Sequence, residues 1–523
     1  MRSRFDPWSG WIGSALGFLL VFGTVSTGCG RTTGQDLPPG LMSFPIAIEL
    51  SLDEDAEGEP KYLYVTSSNF ALQWNSGNVQ SYDLDKVLEA IQTGCIGAGV
   101  ANSCLRSSFE GNINEPECVC DPVNDDDCTA IPPDRCSVVP SNLRFRDPGA
   151  ALRLIPVDGL IPGEVSIGSF SDGMGLSTDG RRIYIPVRSD SNLTFIDVNE
   201  EGQLSCGGAF GEPHTCTSPY RSGSAELVNP SLNLGLPPDP VDVYVGDLAA
   251  DFGDVDGSDD AALDGDYILM AHREGRASMF FDQFRPGGPE PQQRPRLAAT
   301  LDDLAPEQVT ITYEPGAKRA WIPSAEVPAI VRVGIAVDED PTQSYLFDAG
   351  LLFVSGLDQG RSNRDIRFDP REGRNLAYIV SRSPEALIVA RSDVAGGDLN
   401  MVAQIPTCGD PSRVQIAEVP ARGDTVVLAF VSCFLSRNVQ VVDTDSFQGL
   451  TTLTNVSGAF EFVIDAPRRL LYVADFSTSV IRVADLQPIL DCLESTGAEE
   501  GTECAPRLLG LVGLPQPVAE LPR

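Results

Sequence analysis

Short apolar runs alternate with polar turns along most of this chain. In RRLLYVADFSTSVIRVADL, residues 468–486, the apolar runs Leu470 to Ala474 and Val480 to Leu486 flank a polar tip. Two runs of β-branched and aromatic residues around such a tip are typical of a β-hairpin. The same pattern recurs six more times, beginning at residues 61, 181, 266, 318, 374 and 424. The sequence therefore predicts seven hairpins.

The spacing of the hairpins indicates how they are arranged. Their equivalent core positions are Tyr64, Tyr184, Leu269, Trp321, Tyr378, Leu428 and Tyr472. A period of about 40–50 residues built from strands is typical of a β-propeller, and a ring of blades suits a chain of 523 residues that is too long for one core. We expect an all-β fold, a single β-propeller of seven blades with four antiparallel strands each, over residues 44–523.

Further apolar runs supply the remaining strands. Runs near residues 44, 240, 308, 365, 413 and 459 precede hairpins and are predicted to be innermost strands. ALRLIPV at 151 and LLGLVGL at 508 are predicted to be fourth strands. A short helix is expected from Leu84 to Gln92, at the start of a Cys-rich insertion of about residues 88–140.

Three segments resemble those of a known repeat family. YVTS at 64–67 and YVAD at 472–475 resemble the YVTN-type β-propeller repeats of exported bacterial proteins, and STDGRRIYIP at 177–186 is similar to that family's turn between the innermost and second strands. The resemblance spans roughly 44–520 and implies a protein- or ligand-binding or scaffold module at the cell envelope. Lactonase-like relatives leave a metal-dependent hydrolase as the alternative. The sequence contains no G-x-S-x-G, H-E-x-x-H or phosphate-loop motif, so we lean against an enzyme.

The N-terminus is predicted to be a targeting segment. Arg2 and Arg4 precede an apolar stretch and then small residues, which is typical of a secretory signal. VSTGCG at 25–30 resembles a bacterial lipobox, although Ser26 stands where Leu is usual, so ordinary signal cleavage stays open. The resemblance implies a signal peptide at 1–28, a lipid anchor on Cys29, a tether at 29–43, and an outer-membrane or cell-surface location.

The cysteine count fits this export. Setting Cys29 aside leaves 12 of the 13 cysteines, and disulfides persist in oxidising compartments. We expect three local pairs, Cys206–Cys216, Cys408–Cys433 and Cys492–Cys504. Pairing among the six cysteines from Cys95 to Cys136 is open. Zinc is a weak alternative because no C-x-x-C pair occurs and only two histidines are present.

The acidic composition of the chain limits the kinds of partner it can bind and suggests Ca²⁺ as a ligand. Asp and Glu outnumber Lys and Arg by 74 to 37, and a formal net charge of −37 disfavours nucleic-acid binding. We expect an envelope or extracellular protein as partner, with the membrane contacted through the anchor. The loop at 247–266 offers oxygen ligands suited to Ca²⁺, although an EF-hand register fails and a solvated acidic loop is the alternative. These candidate ligands are Asp251, Asp254, Asp256, Asp259 and Asp260.

Strand order places the loops on two rims. Second-to-third turns and the links between blades open on what we call the first rim; the other connections, including the long insertions, open on the second rim. Cys408 and Cys433 both fall on the first rim, which agrees with their pairing. Basic residues there indicate an anionic ligand at the channel mouth: Arg188, His272, Arg273, Arg382, Arg413 and Arg437. His272 is expected in an exposed turn.

Overall fold

A computed structural model of the protein describes most of the chain after residue 36. The described residues are 37–52, 58–72, 74–93, 105–107, 152–155, 159–223, 236–252, 265–283, 294–338, 340–353, 362–393, 396–421, 424–454, 456–494 and 504–513. The chain divides into two compact units, 1–34 and 35–523, and every described residue lies in the second. Cys29, the signal peptide and the six-cysteine cluster lie outside the described residues.

Seven sheets form the seven blades of a β-propeller, which confirms the predicted fold. The strands are given from the innermost outward. Blade 1 contains Pro45–Leu50, Tyr62–Ser67, Gly77–Asp83 and Gly163–Ile167, and blade 2 contains Gly175–Leu176, Arg182–Val187, Asn192–Val198 and Leu204–Ser205. Blade 3 contains Pro240–Gly246, Asp266–His272, Arg276–Asp282 and Arg296–Leu301. Blades 4 and 5 contain Thr312–Glu314, Arg319–Pro323, Ile330–Ala336 and Tyr345–Leu352; and Asn363–Phe368, Leu376–Arg382, Glu385–Asp393 and Asp398–Pro406. Blades 6 and 7 contain Pro411–Ala421, Asp424–Cys433, Asn438–Asp443 and Gln448–Thr454; and Ala459–Asp465, Leu470–Asp475, Val480–Asp485 and Arg507–Val512.

The hydrophobic core lies between neighbouring blades. Strand residues alternate between the two faces of a sheet, and both faces here are apolar because each blade is covered on both sides. Trp321 and Ile330 of blade 4, for example, share one buried cluster with Ile366 and Ile379 of blade 5. Each predicted hairpin is the second and third strand of a blade.

One predicted strand is wrong. Leu152–Ile155 pairs in parallel with Arg507–Val512 and antiparallel with Leu105–Ser107, so it extends blade 7 rather than completing blade 1. Gly163–Ile167 is the fourth strand of blade 1, antiparallel to its third strand. Its Val165 is buried in the cluster shared by blades 1 and 2, and that packing selects it over the earlier apolar run.

The outer edge of blade 2 is interrupted by the loop that contains Cys206 and Cys216. After Leu204–Ser205 the chain leaves the blade, and His214–Thr215 pairs in parallel with Gly163–Ile167 of blade 1. The chain then returns, and Arg221–Ser222 pairs with the third strand of blade 2. The loop therefore joins the outer edges of two blades.

Few residues are helical. The predicted first helix is confirmed as Leu84–Thr93, whereas Ala249–Phe252 and Gln487–Glu494 were not predicted, and short 3₁₀ turns occupy Ser218–Tyr220 and Pro341–Gln343. No described helix combines the length and hydrophobicity needed to cross a membrane.

Blade 7 packs against blade 1 and closes the ring. The Phe44 amide donates to Ser479 Oγ at 3.1 Å, and Arg468 Nε lies 2.7 Å from Glu59 Oε2. Ile48 and Val463 belong to one buried cluster. Within the predicted tether, residues 37–43 contact blade 1, where the Gly40 amide donates to Glu164 Oε2 at 2.7 Å.

Candidate ligand-binding site at the first rim

A register shift recurs near the first rim in every blade, within the innermost strand of five blades and between an isolated bridge and that strand in blades 2 and 4. In blade 5, Asn363 pairs with Ser381 but Asp365 pairs with Val380, so Arg364 is an extra residue in the ladder. A bulge of this kind redirects a side chain. The residues at the equivalent position of the seven blades, here called the bulge residues, are Ile46, Asp172, Val241, Val309, Arg364, Ser412 and Phe460.

The bulge residues surround a cavity at the axial mouth of the propeller. The cavity has a volume of about 290 Å³ and is lined by every bulge residue except Ser412. The remaining lining comes from the second-to-third turns and from residues beside the bulges: Phe70, Arg188, Arg273, Glu307, Gln308, Arg413, Phe434 and Phe476. All seven blades therefore contribute to one site.

Three arginines of the cavity are neutralised by carboxylates. Arg188 donates from Nη1 to Asp172 at 2.8 Å and from Nε to Asp239 at 2.5 Å. Arg273 donates to Glu307 Oε2 at 2.8 Å. These contacts hold the guanidinium groups in place but also compensate their charge.

Arg413 is the third neutralised arginine and is almost fully buried. Its Nε donates to Glu461 Oε2 at 2.8 Å, and its guanidinium lies 4.9 Å from the centre of the Phe460 ring. Burial would lower the pKa of Arg413, but the charges of Glu461, Asp365 and Asp242 outweigh it and raise that pKa.

Arg364 has no such partner. Within the described part of the chain, no carboxylate pairs with its guanidinium, and its Nε is buried without a hydrogen-bond acceptor. Burial and the like charges of Arg382 and Arg413 lower the pKa of Arg364 to about 10, only partly offset by Asp410. The side chain is therefore a cation at neutral pH that lacks an adjacent anion.

Phenylalanine rings form the opposite wall. Phe476 stands at their centre, with ring centroids 5.0 Å from Phe44, 5.6 Å from Phe70, 6.0 Å from Phe434 and 6.1 Å from Phe460. These rings come from blades 1, 6 and 7, whereas the arginines come from blades 2, 3, 5 and 6. The cavity is therefore basic on one side and aromatic on the other.

Carboxyl groups lie deeper on the innermost strands. Burial raises the pKa of Asp242 to about 7, although its carboxylate accepts a hydrogen bond from the Ile311 amide at 2.9 Å. Burial, together with the negative charge of Glu461, raises the pKa of Glu49 to about 8. Both carboxyls therefore bind protons close to neutral pH, which reduces the negative charge behind the arginines.

The structure places three of the six predicted rim residues in the cavity: Arg188, Arg273 and Arg413. Arg382 instead contacts Asp410 at 2.7 Å and donates to Ser412 Oγ at 2.8 Å, which holds the first residues of blade 6. Arg437 is exposed on the rim outside the cavity.

His272 does not lie in an exposed turn as expected. It ends the second strand of blade 3, is fully buried, and its Nε2 lies 2.8 Å from Ser278 Oγ. Burial lowers the pKa of His272 to about 4, so it is neutral in the folded protein at physiological pH. The sequence pattern did not show that the second strand of blade 3 extends as far as His272, and this residue was therefore expected in the turn.

Arg364 was missed because NRDIRF looks like an ordinary alternating strand. Alignment of the seven innermost strands would have found it, since Arg364 occupies the position of Ile46 and Phe460. Most of the aromatic wall was missed because Phe70, Phe434 and Phe476 lie in turns of different blades, which the sequence pattern does not bring together.

The three predicted cysteine pairs lie at disulfide-bonding distance. Their Cα atoms are 4.8 Å apart for Cys206–Cys216, 5.9 Å for Cys408–Cys433 and 5.6 Å for Cys492–Cys504. Cys433 immediately precedes Phe434, so the second pair stabilises the turn that carries one cavity residue.

The predicted calcium loop is described only at its two ends, residues 247–252 and 265–266. Asp251 accepts hydrogen bonds from the Tyr313 hydroxyl at 2.6 Å and from the Gly316 amide at 2.9 Å. Asp254, Asp256, Asp259 and Asp260 lie outside the described residues. Among the residues that are described, no three His, Cys, Asp or Glu side chains are arranged to hold a metal ion.

Comparison with known proteins gives structural likeness only. No family model matches the sequence, and no curated protein matches it. Periplasmic gluconolactonase of Pseudomonas aeruginosa is similar in structure, with 14% identity, a TM-score of 0.43, and coverage of 79% of this chain and 86% of its own. A putative 6-phosphogluconolactonase of Bacteroides uniformis has 12% identity, a TM-score of 0.40 and coverage of 77% and 82%. Hydrazine synthase of Kuenenia stuttgartiensis has 9% identity, a TM-score of 0.46 and coverage of 87% and 97%. Function must therefore be argued from the residues of this chain, which forms a seven-bladed β-propeller.

Proposed function

We propose that this propeller is a binding module that holds a small organic anion at the axial mouth of its first rim. The observation that carries the proposal is Arg364, a partly buried guanidinium in a cavity whose other arginines each have a carboxylate within 2.8 Å. A buried charge is costly unless it is paired. A bound anion would supply the missing partner.

The cavity suits binding better than hydrolysis. Both carboxylates that line it are engaged by arginines, Asp172 by Arg188 and Glu307 by Arg273. A carboxylate held in this way cannot reach a substrate or water proton without giving up its contact with the guanidinium. The lactonase-like hydrolase therefore has no specific observation in its favour, whereas a guanidinium fork matches the geometry of a carboxylate.

The setting that we propose is the bacterial envelope. A lipid on Cys29 would attach the propeller to the membrane, and three disulfide pairs on the described part of the chain suit an oxidising compartment. In that setting the module would bind an extracellular or periplasmic compound, or a protein that presents one.

Isothermal titration calorimetry with phenylacetate at low ionic strength tests this function. We expect wild type to bind and Arg364→Met to lose at least tenfold in affinity, because a charge-assisted bond is removed. Arg437→Met is the matched control, since Arg437 is exposed on the same rim outside the cavity, and it should bind like wild type. Equal binding by Arg364→Met and wild type would refute the proposal.

A further inference from the structure

The two walls of the cavity define the ligand more narrowly. We infer that the ligand is a monocarboxylate attached to an aromatic ring or a compact apolar group, with the carboxylate on Arg364 and the apolar part against the Phe476 cluster. This inference rests on the proposed anion-binding function and adds the chemical class to it.

The first step concerns charge. Arg188, Arg273 and Arg413 are each compensated by at least one carboxylate, and Arg188 by two. One unpaired guanidinium therefore remains among the described cavity residues. A single negative charge matches it, whereas a dianion such as a phosphate monoester would bring an excess charge next to Asp172 and Glu307.

The second step concerns the apolar wall. Phe70 is 44% exposed although it lies in the same cavity as the arginines. Its ring meets Phe476 nearly edge-on at 5.6 Å and Phe170 at 6.0 Å, so it is held in place rather than free. A fixed, accessible aromatic face beside a cation is suited to a ligand that has both an apolar part and a charge.

The third step concerns size. The volume of about 290 Å³ is at the lower end of small-molecule sites, which span about 300–1,000 Å³. One ring with a short acidic side chain fits this space. A long acyl chain or an oligosaccharide would extend beyond the cavity.

This chemistry has two sources. One is a free aromatic acid, and the other is the C-terminal residue of a peptide that ends in an apolar side chain. Leu72 and Leu435 are 60% and 70% exposed on the turns that carry Phe70 and Phe434, so an apolar surface continues beyond the cavity. The carboxylate and the apolar group are common to both sources.

Calorimetry on the full chain with a matched series of probes tests the inference. The series is acetate, benzyl alcohol, phenylacetate, and a tripeptide ending in phenylalanine with a free or amidated C-terminus. We expect phenylacetate to bind about 10- to 100-fold more tightly than acetate or benzyl alcohol, because burial of the ring adds to the charge interaction. Phe70→Ala should reduce the affinity advantage of phenylacetate over acetate several-fold while acetate binding is unchanged. Leu72→Ala, in the same turn but outside the cavity, should retain the full advantage.

The outcomes separate this inference from the proposed function. Equal, Arg364-dependent binding of acetate and phenylacetate would overturn the inference and leave the anion site standing. If neither acetate nor phenylacetate shows binding that depends on Arg364, the inference and the proposed function are both overturned. Tighter binding of the free tripeptide than of phenylacetate would support the proposed ligand class and identify a peptide as its source. Equal binding of the free and amidated peptides, each tighter than phenylacetate, would show that the carboxylate is not recognised and would overturn the inference.

Discussion

Arg413 donates to Glu461 at 2.8 Å across the boundary between blades 6 and 7. Both residues lie on innermost strands, Arg413 lines the cavity, and both side chains are largely buried. The same guanidinium lies over Phe460, so one contact set joins the basic and the aromatic walls. Because Arg413 has this carboxylate partner, Arg364 is left as the arginine among the described cavity residues whose guanidinium lacks one.

Breaking this pair should destabilise the propeller. Arg413→Met leaves the Glu461 carboxylate buried without its cation, and we expect the free energy of unfolding to fall by about 3 kcal/mol. Chemical denaturation followed by circular dichroism measures this. The exposed Arg437→Met should change stability by less than about 0.5 kcal/mol. A similarly small effect of Arg413→Met would show that the pair contributes little.

Removal of the first-rim disulfide should affect both stability and binding. The bond Cys408–Cys433 closes 25 residues, so the double Ser variant should lose about 3 kcal/mol through greater freedom of the unfolded chain. Since Phe434 follows Cys433, phenylacetate binding should weaken as well. The double Ser variant of Cys492 and Cys504, on the second rim, should lose stability but keep its affinity. Loss of affinity in that control would contradict the placement of the site.

The carboxyls of Glu49 and Asp242 on the innermost strands should make stability depend on pH. Glu49 changes from a pKa of 4.5 to about 8 on folding, and Asp242 from 3.8 to about 7, so the folded protein holds protons that the unfolded chain releases. Their contribution is full below about pH 4 and is lost as the pH rises towards 8. Glu49→Gln does not titrate, so its stability relative to wild type should rise between pH 5 and pH 8, by an amount on the order of 1–3 kcal/mol.

Denaturation at several pH values measures that difference. The exposed Glu418→Gln on blade 6 is the matched control, and its difference from wild type should stay constant over the same range. A flat difference for Glu49→Gln would show that Glu49 is charged in the folded protein at neutral pH.

The proposed anchor makes a separate prediction. Cys29→Ser removes the thiol that would carry the lipid, so the protein should move from the membrane fraction to the soluble fraction of an expressing bacterium. Fractionation with detergent-phase partitioning measures this, and Cys504→Ser serves as a control for the loss of a cysteine. Unchanged partitioning of Cys29→Ser would contradict lipidation at this residue.

The fold could be predicted from the sequence because each blade repeats one local pattern. The hairpin around Tyr472 and those upstream each encode two neighbouring strands, and local turns fix their pairing. The run at Leu152–Ile155 forms a strand but not a fourth strand as predicted, since alternation specifies a strand but not its partner. That partner is selected by packing between elements that are distant in sequence.

The site was predictable only in part. The rim position of Arg188, Arg273 and Arg413 follows from strand order, but their pairing with carboxylates does not. Arg364 points into the cavity because of a one-residue bulge between Asn363 and Asp365, a backbone feature without a side-chain signature in this strand. Alignment of the innermost strands would place Arg364 at the cavity, but its lack of a carboxylate partner follows only from the folded structure.

A crystal structure of the protein with bound phenylacetate examines the proposed site itself. We predict the carboxylate within about 2.7–3.0 Å of the Arg364 guanidinium and the ring against Phe70 and Phe476. Phenylacetate bound instead in the larger space beside Tyr313 and Arg367, between blades 4 and 5, with the first-rim cavity free of it, would contradict an anion site at Arg364.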